Sequence, residues 1–313
     1  MINLEKRGFY KGVNLGGWFS QCDYNPEKMD SFITEQDFKT ISTWGIDHVR
    51  IPVDYNIFEH DDGFTRIDNA IAMCEAYGLH TVLDLHKTVG FSFDSYAEHE
   101  TGFFENESYQ ERFYQLWESF AKRYGQNSQQ VAFELLNEVT EECYISIWNQ
   151  IADTCVQRIR EFAPDVLILI GSYENNSPQT VKYLNPPYDA NIIYNMHCYE
   201  PLKFTHQGAY WTDKINPDER FSFVESNITE DYFEQLFSPA IAKAQKHHTA
   251  LYCGEYGVID RAKPEDILKW FQVIHNIFEK YKIGRCAWNY KALDFGFSDT
   301  RLDDIREEIL KNL

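Results

Sequence analysis

The chain has 313 residues, 43% of them apolar and 16% aromatic, including 20 Tyr and 23 Phe. That suffices for the core of one large domain or two ordinary ones. The formal net charge of −20 argues against nucleic acid or an anionic membrane surface as partner, since both require a basic face. It also argues against polyuronic acids as substrate and leaves neutral polymers open.

Short β-branched runs alternate with longer segments of helical spacing. The strand candidates are Phe9–Asn14, His48–Val53, His80–Leu85, Val131–Leu136, Val166–Ile170, Ile192–His197, Leu251–Glu255 and Gly284–Trp288. Between them, apolar residues recur at helical intervals through Phe38–Trp44, Ile67–Tyr77, Phe113–Tyr124, Ile147–Phe162 and Pro239–His247. A further helix is entered through Pro264 at a first-turn position and runs to Tyr281, and Asp303–Leu313 closes the series. Eight strands alternating with helices, with no Gly-rich phosphate turn, predict an α/β fold. Its expected form is a closed (β/α)8 TIM barrel spanning residues 1–313 as one domain. An aperiodic stretch after the sixth strand, residues 199–237, holds Phe204, Tyr210, Trp211, Phe221 and Phe223. A loop of that length inside a compact domain tends to be functional, and it is expected to overhang the catalytic face. The Lys87–Phe104 loop is expected to form a second cleft wall.

Seven cysteines, an odd set with no CxxC pair, read as free thiols in a reducing compartment. Residues 1–7 carry no apolar leader, and no run reaches the roughly 18 apolar residues of a membrane span. The expectation is a cytoplasmic protein, monomeric, without a membrane partner. The sequons at Asn106, Asn175 and Asn227 then read as chance matches.

Polar residues gather at the C-terminal ends of the strand candidates, where the chemistry of a parallel barrel sits. Arg50 ends the second, His86 the third, Asn137 and Glu138 the fourth, His197 and Tyr199 the sixth, Glu255 the seventh and Trp288 the eighth. Any one of them alone is equally well a structural ion-pair partner or a core residue. Charge at the ends of several buried strands is costly unless it pairs or works. Two carboxylates converging there suit the breaking of a glycosidic bond. Glu138 is the expected acid/base, kept protonated by burial. Glu255 is the expected nucleophile, held ionised by Arg50 and the Tyr199 hydroxyl. Asn137 is placed for the sugar 2-hydroxyl, and Trp288 for stacking on the ring. No cofactor and no metal are expected.

With these motifs the chain resembles glycoside hydrolase family 5. The carrying residues are Gly12–Trp18, Val49–Pro52, Leu83–His86, Leu136–Glu138, His197–Tyr199, Gly254–Gly257 and Ala287–Tyr290, in order from about Phe9 to Phe295. The eight residues usually shared in that family fall at Arg50, His86, Asn137, Glu138, His197, Tyr199, Glu255 and Trp288. Within the family, Phe133–Val139, Phe204–Gln207, Leu251–Glu255 and Ala287–Lys291 resemble the small single-domain clostridial endoglucanases. That resemblance implies retaining hydrolysis of β-1,4 bonds in cellulose-like and mixed-linkage β-glucans, and a helical subdomain in the sixth-strand loop. It adds His86, Trp288, Trp211 and Lys87 as substrate-binding candidates. Lys87 stands where such relatives have a second His, and the sixth-strand insertion is shorter here. The Gly12–Trp18 opening also resembles exo-acting β-1,3-glucanases of the family, which stay open as an alternative. A metal-dependent hydrolase built on His86 and His197 lacks the His-x-His expected at the first strand. A carbohydrate-binding protein without catalysis is the remaining rival.

Overall fold

The computed structural model describes residues 2–94 and 100–313. Eight strands follow one another in the expected places: β1 (Lys11–Asn14), β2 (His48–Asp54), β3 (His80–Thr88), β4 (Val131–Glu134), β5 (Leu167–Ile170), β6 (Ile192–Cys198), β7 (Leu251–Tyr256) and β8 (Gly284–Ala287). Each pairs in parallel with the next, and β8 returns to β1, so the sheet closes into a barrel. A two-residue strand, Phe91–Ser92, folds back antiparallel on the end of β3. The remainder of the second expected cleft wall includes residues 95–99, which lie outside the described residues.

Alternation along each strand sorts side chains into two layers. Residues such as Val49, Ile51, Leu83, Leu85, Phe133, Ile168 and Met196 face outward. They pack under the helices Glu35–Ile41, Gly63–Ala76, Glu107–Tyr124, Ile145–Arg160, Glu230–Lys246 and Pro264–Tyr281. The inward layer is apolar at the N-terminal end of the barrel: Val82, Ala132, Leu167, Leu169, Ile193, Tyr252 and Cys286. That end is corked by the chain start. Asn3 caps a single helical turn, Leu4–Arg7, which stops at Gly8 with φ 74°. Leu4, Phe9 and Tyr10 then pack onto the inner layer. Burying side chains of this size contributes about 1.5–3 kcal/mol each.

Two local findings differ from the sequence reading, and a third concerns a segment it left unassigned. The helix expected from Pro239 starts at Glu230, capped by the Thr229 hydroxyl accepting from the Tyr232 amide. Phe233, Phe237, Ala240 and Ala244 form one buried stripe across the proline, so packing overrides the loss of one backbone hydrogen bond at Pro239. The stretch after β6 therefore regains helix earlier than expected. In place of a helical subdomain it holds one short helix, Leu202–Thr205, followed by turns. Finally, the fifth unit has no full helix between β5 and β6. A tight turn at Tyr173–Asn176 and a 3-10 turn at Val181–Tyr183 stand there instead. No helix among the described residues is long and apolar enough to cross a membrane.

Candidate active site

The inward positions change character toward the C-terminal end of the barrel. His48 gives way to Arg50 on β2, Val82 to Asp84 and His86 on β3, Ala132 to Glu134 on β4, and Ile193 to Asn195 and His197 on β6. Arg50 is the hub. Its Nε donates to Glu134 Oε2 at 2.7 Å and one Nη2 hydrogen to Glu134 Oε1 at 2.9 Å. Nη1 donates to Asn14 Oδ1 at 2.9 Å and to Glu255 Oε1 at 2.8 Å, and Nη2 reaches Asn137 Oδ1 at 3.0 Å. All five guanidinium donors are thus used. Asp84 adds an ion pair at 3.0 Å. A fully buried cation is costly unless satisfied in this way, and removing one partner would strand the others.

Glu255 sits on β7 opposite His197, where the β6–β7 register shifts. Besides Arg50, it accepts from the Tyr199 hydroxyl at 2.8 Å. Glu138 lies beyond the end of β4 with φ 38°. Its Oε1 is 2.8 Å from His197 Nδ1, and its Oε2 accepts from Asn175 Nδ2 at 3.0 Å. Glu138, His197 and Glu255 present oxygen and nitrogen atoms all within 4.8 Å of one another. All three are already hydrogen-bonded within the site, and no metal role is assigned to them.

Around this pair, Asn137 turns its amide nitrogen toward His86 Nε2 at 3.5 Å, while His86 Nδ1 meets Asp84 Oδ2 at 2.7 Å. Trp288 lies parallel to His86, with centroids 6.0 Å apart and planes 6° from coplanar. A Cβ at Gly16 would come within 2.3 Å of that indole, so only glycine lets β1's loop pass beneath it. Next to Gly16, a cavity of about 540 Å³ opens among Gly17, Trp18, Gln21, Asp23, Phe32 and Asp94. Trp211 is 36% exposed and meets the edge of His206, which in turn packs on Tyr199. Lys87 is buried, with its ammonium 5.6 Å from the Tyr55 ring centroid and 5.9 Å from that of Tyr24. The expected residues thus fall into two groups. Arg50, Asn137, Tyr199 and Glu255 form one hydrogen-bonded set and Glu138 with His197 a second beside it, His197 Nδ1 lying 3.7 Å from Glu255 Oε2, with His86 and Trp288 flanking, whereas Trp211 and Lys87 lie outside both sets.

One cation serving several acids cannot hold them all ionised in a dry interior. Burial pushes Glu138 above the ordinary carboxylate range, against the Asn175 hydrogen bond. It pushes Asp84 up to about 7 despite Arg50, and raises Glu134 as well. Burial also drives His197 down to about 4 and lowers His86, so both imidazoles are neutral near pH 7. Sequence reasoning had passed over Asn14, Asp84, Glu134, Asn175 and Asn195. Asn195 Nδ2 donates to Glu134 Oε1 at 2.8 Å, completing that carboxylate's surroundings. A signal existed for two of them: Asp84 and Glu134 are the one acid each in the strand candidates His80–Leu85 and Val131–Leu136.

Residues 8–294 match the family model for Cellulase (glycosyl hydrolase family 5). The chain is 57% identical over 288 residues to Cellodextrinase A of Ruminococcus flavefaciens, covering 90% of this chain and 85% of that one. It is 36% identical over 338 residues to Endoglucanase C of Acetivibrio thermocellus, covering 97% and 98%. Among solved structures, Thermotoga maritima Cel5A in complex with mannotriose aligns over 100% of both chains with a TM-score of 0.82 and 25% identity. The cellulose synthase subunit Z of Clostridioides difficile aligns over 97% of this chain and 99% of that one, with a TM-score of 0.80 and 27% identity.

Proposed function

The chain belongs to glycosyl hydrolase family 5 and is a glycoside hydrolase, and from its site we propose that it cuts β-1,4-glucosidic bonds with retention of anomeric configuration. The substrates proposed are cellulose-like chains, mixed-linkage β-1,3-1,4-glucans and their oligosaccharides, cleaved at internal bonds. The pairing of Glu138 with Glu255 carries this reading. Their facing oxygens lie within 4.8 Å, which supports the short carboxylate separation of about 5–5.5 Å that goes with a covalent intermediate.

In the first step Glu255 attacks the anomeric carbon while Glu138 gives its proton to the departing glycosidic oxygen, leaving the sugar esterified to Glu255. Arg50 and Tyr199 donate to the nucleophile before attack and to the same oxygens when the ester leaves. In the second step Glu138, now ionised, takes a proton from water, whose oxygen displaces Glu255 from the anomeric carbon. Because Arg50 occupies Asn137 Oδ1, the Asn137 amide nitrogen faces away from it, and the hydrogen not turned toward His86 serves the sugar 2-hydroxyl. Trp288 offers its face to the ring in the cleaved position, with His86 beside it. Trp211, in the loop after β6, and Lys87, at the end of β3, are taken as further sugar contacts.

The likeness to Cellodextrinase A supports including short soluble β-1,4 chains among the substrates. Seven free cysteines support a reducing, cytoplasmic setting, and the reading takes the enzyme as a monomer acting without a cofactor. The test is reducing-sugar release from mixed-linkage β-glucan, carboxymethylcellulose, cellodextrins, laminarin and mannan at equal mass. Rapid release from the first three is expected. Release from laminarin alone would replace the β-1,4 reading with the β-1,3 one.

A further inference from the structure

The turn that replaces the fifth helix is aimed at Glu138. Glu174, Asn175 and Asn176 are all left-handed, with φ of 53°, 55° and 58°. Asparagine tolerates that region better than most residues. The turn is pinned to the loop that carries Glu138: the Glu174 amide donates to Thr140 O at 3.1 Å and the Asn175 amide to Val139 O at 3.0 Å. From there Asn175 Nδ2 donates to Glu138 Oε2 at 3.0 Å. Asn176 Nδ2 lies 3.3 Å from His197 Nε2. With that amide donating, the proton of the neutral imidazole falls on Nδ1, which faces Glu138 Oε1 at 2.8 Å. Gly171 makes room, since a Cβ there would come within 2.1 Å of Asn176 Oδ1.

We propose that Asn175 and Asn176 are positioning residues for the acid/base carboxylate, one donating to it directly and the other through His197. This rests on the reading of Glu138 as acid/base. Two neutral donors fix both oxygens of Glu138 and leave their remaining lone pairs for the substrate. Both donations favour the ionised form, so they offset burial and ease release of the proton to the leaving oxygen in the first step. Other charged and titratable groups face Glu138: Arg50, Asp84, His86, His197, Tyr199, Glu255, and Lys214 from the loop after β6. None of them is altered by substitution at position 175.

The test is the pH profile of kcat/KM on a cellodextrin. Asn175→Gly keeps the left-handed backbone and removes only the amide. It should move the alkaline limb up by about one pH unit, the scale of one hydrogen bond to a charged group, and lower kcat about tenfold with KM nearly constant. Asn175→Asp keeps the size and turn preference but replaces the donor with an acceptor, and should move the limb further; it also serves if the glycine variant folds poorly. Asn176→Gly, acting only through His197, should move it less. An unmoved limb in both Asn175 variants would overturn the inference, because a merely structural role lowers rate without shifting the limb. Glu138→Gln in the same titration separates the two claims. Loss of the limb there supports Glu138 as the titrating acid, and its survival would overturn that reading and this one together.

Discussion

The two carboxylates of the site are held by opposite means. Glu255 sits on a strand in extended backbone, beside a guanidinium whose every hydrogen is committed, with a phenol on its other oxygen. Glu138 lies past the end of its strand at positive φ, and its two hydrogen-bond partners are a neutral amide and a neutral imidazole. A fixed positive charge suits a group that must remain an anion until it attacks. Uncharged donors suit a group that must give up a proton and take it back, since they bias the exchange without locking it.

That contrast can be broken at four points. Glu255→Gln, with no nucleophile, is expected to lower kcat roughly 10⁴-fold or more on every substrate, with the barrel still folded. Near-normal turnover would sink the assignment. Glu138→Gln should cost about 10²–10⁴-fold on cellodextrins. It should cost far less in the glycosylation step of aryl glycosides with good leaving groups, and equal losses on both would contradict its acid role. Tyr199→Phe removes one donor to Glu255 and should reduce kcat/KM by roughly 10- to 100-fold, without moving the alkaline limb. A moved limb would mean that Tyr199 serves the other carboxylate. The smallest effect is in the wild type. Burial raises the Glu138 pKa, so the protonated acid persists to higher pH than an ordinary glutamic acid. The alkaline limb of kcat/KM should therefore lie above about pH 4.3, the unperturbed value, and activity should fall as pH rises through it.

The barrel was legible because eight short buried runs and six amphipathic stripes have different periods and alternate. What escaped depends on tertiary packing. Pro239 looked like a helix start because proline favours the first turn, yet the stripe from Phe233 to Ala244 runs through it. Residues at strand ends were legible as a set. Their inner supports were not: Asn14 looks like any polar residue until Arg50 is seen beside it on the neighbouring strand. Asn175 was visible only as a sequon, and its reach to Glu138 depends on a left-handed turn that no local pattern announces.

The cork at the N-terminal end of the barrel has a consequence for the catalytic layer above it. Leu4 and Phe9 do more than add buried area; they keep the shaft beneath Glu134 and Asp84 dry. A chain shortened to begin at Lys11 would let solvent seep in from below. Even if such a barrel stayed closed, its interior would become more polarisable, and Asp84 and Glu134 would relax toward ordinary carboxylates. The acidity of the carboxyls that support Arg50 is thus set in part from the floor of the barrel, at the opposite end from the substrate.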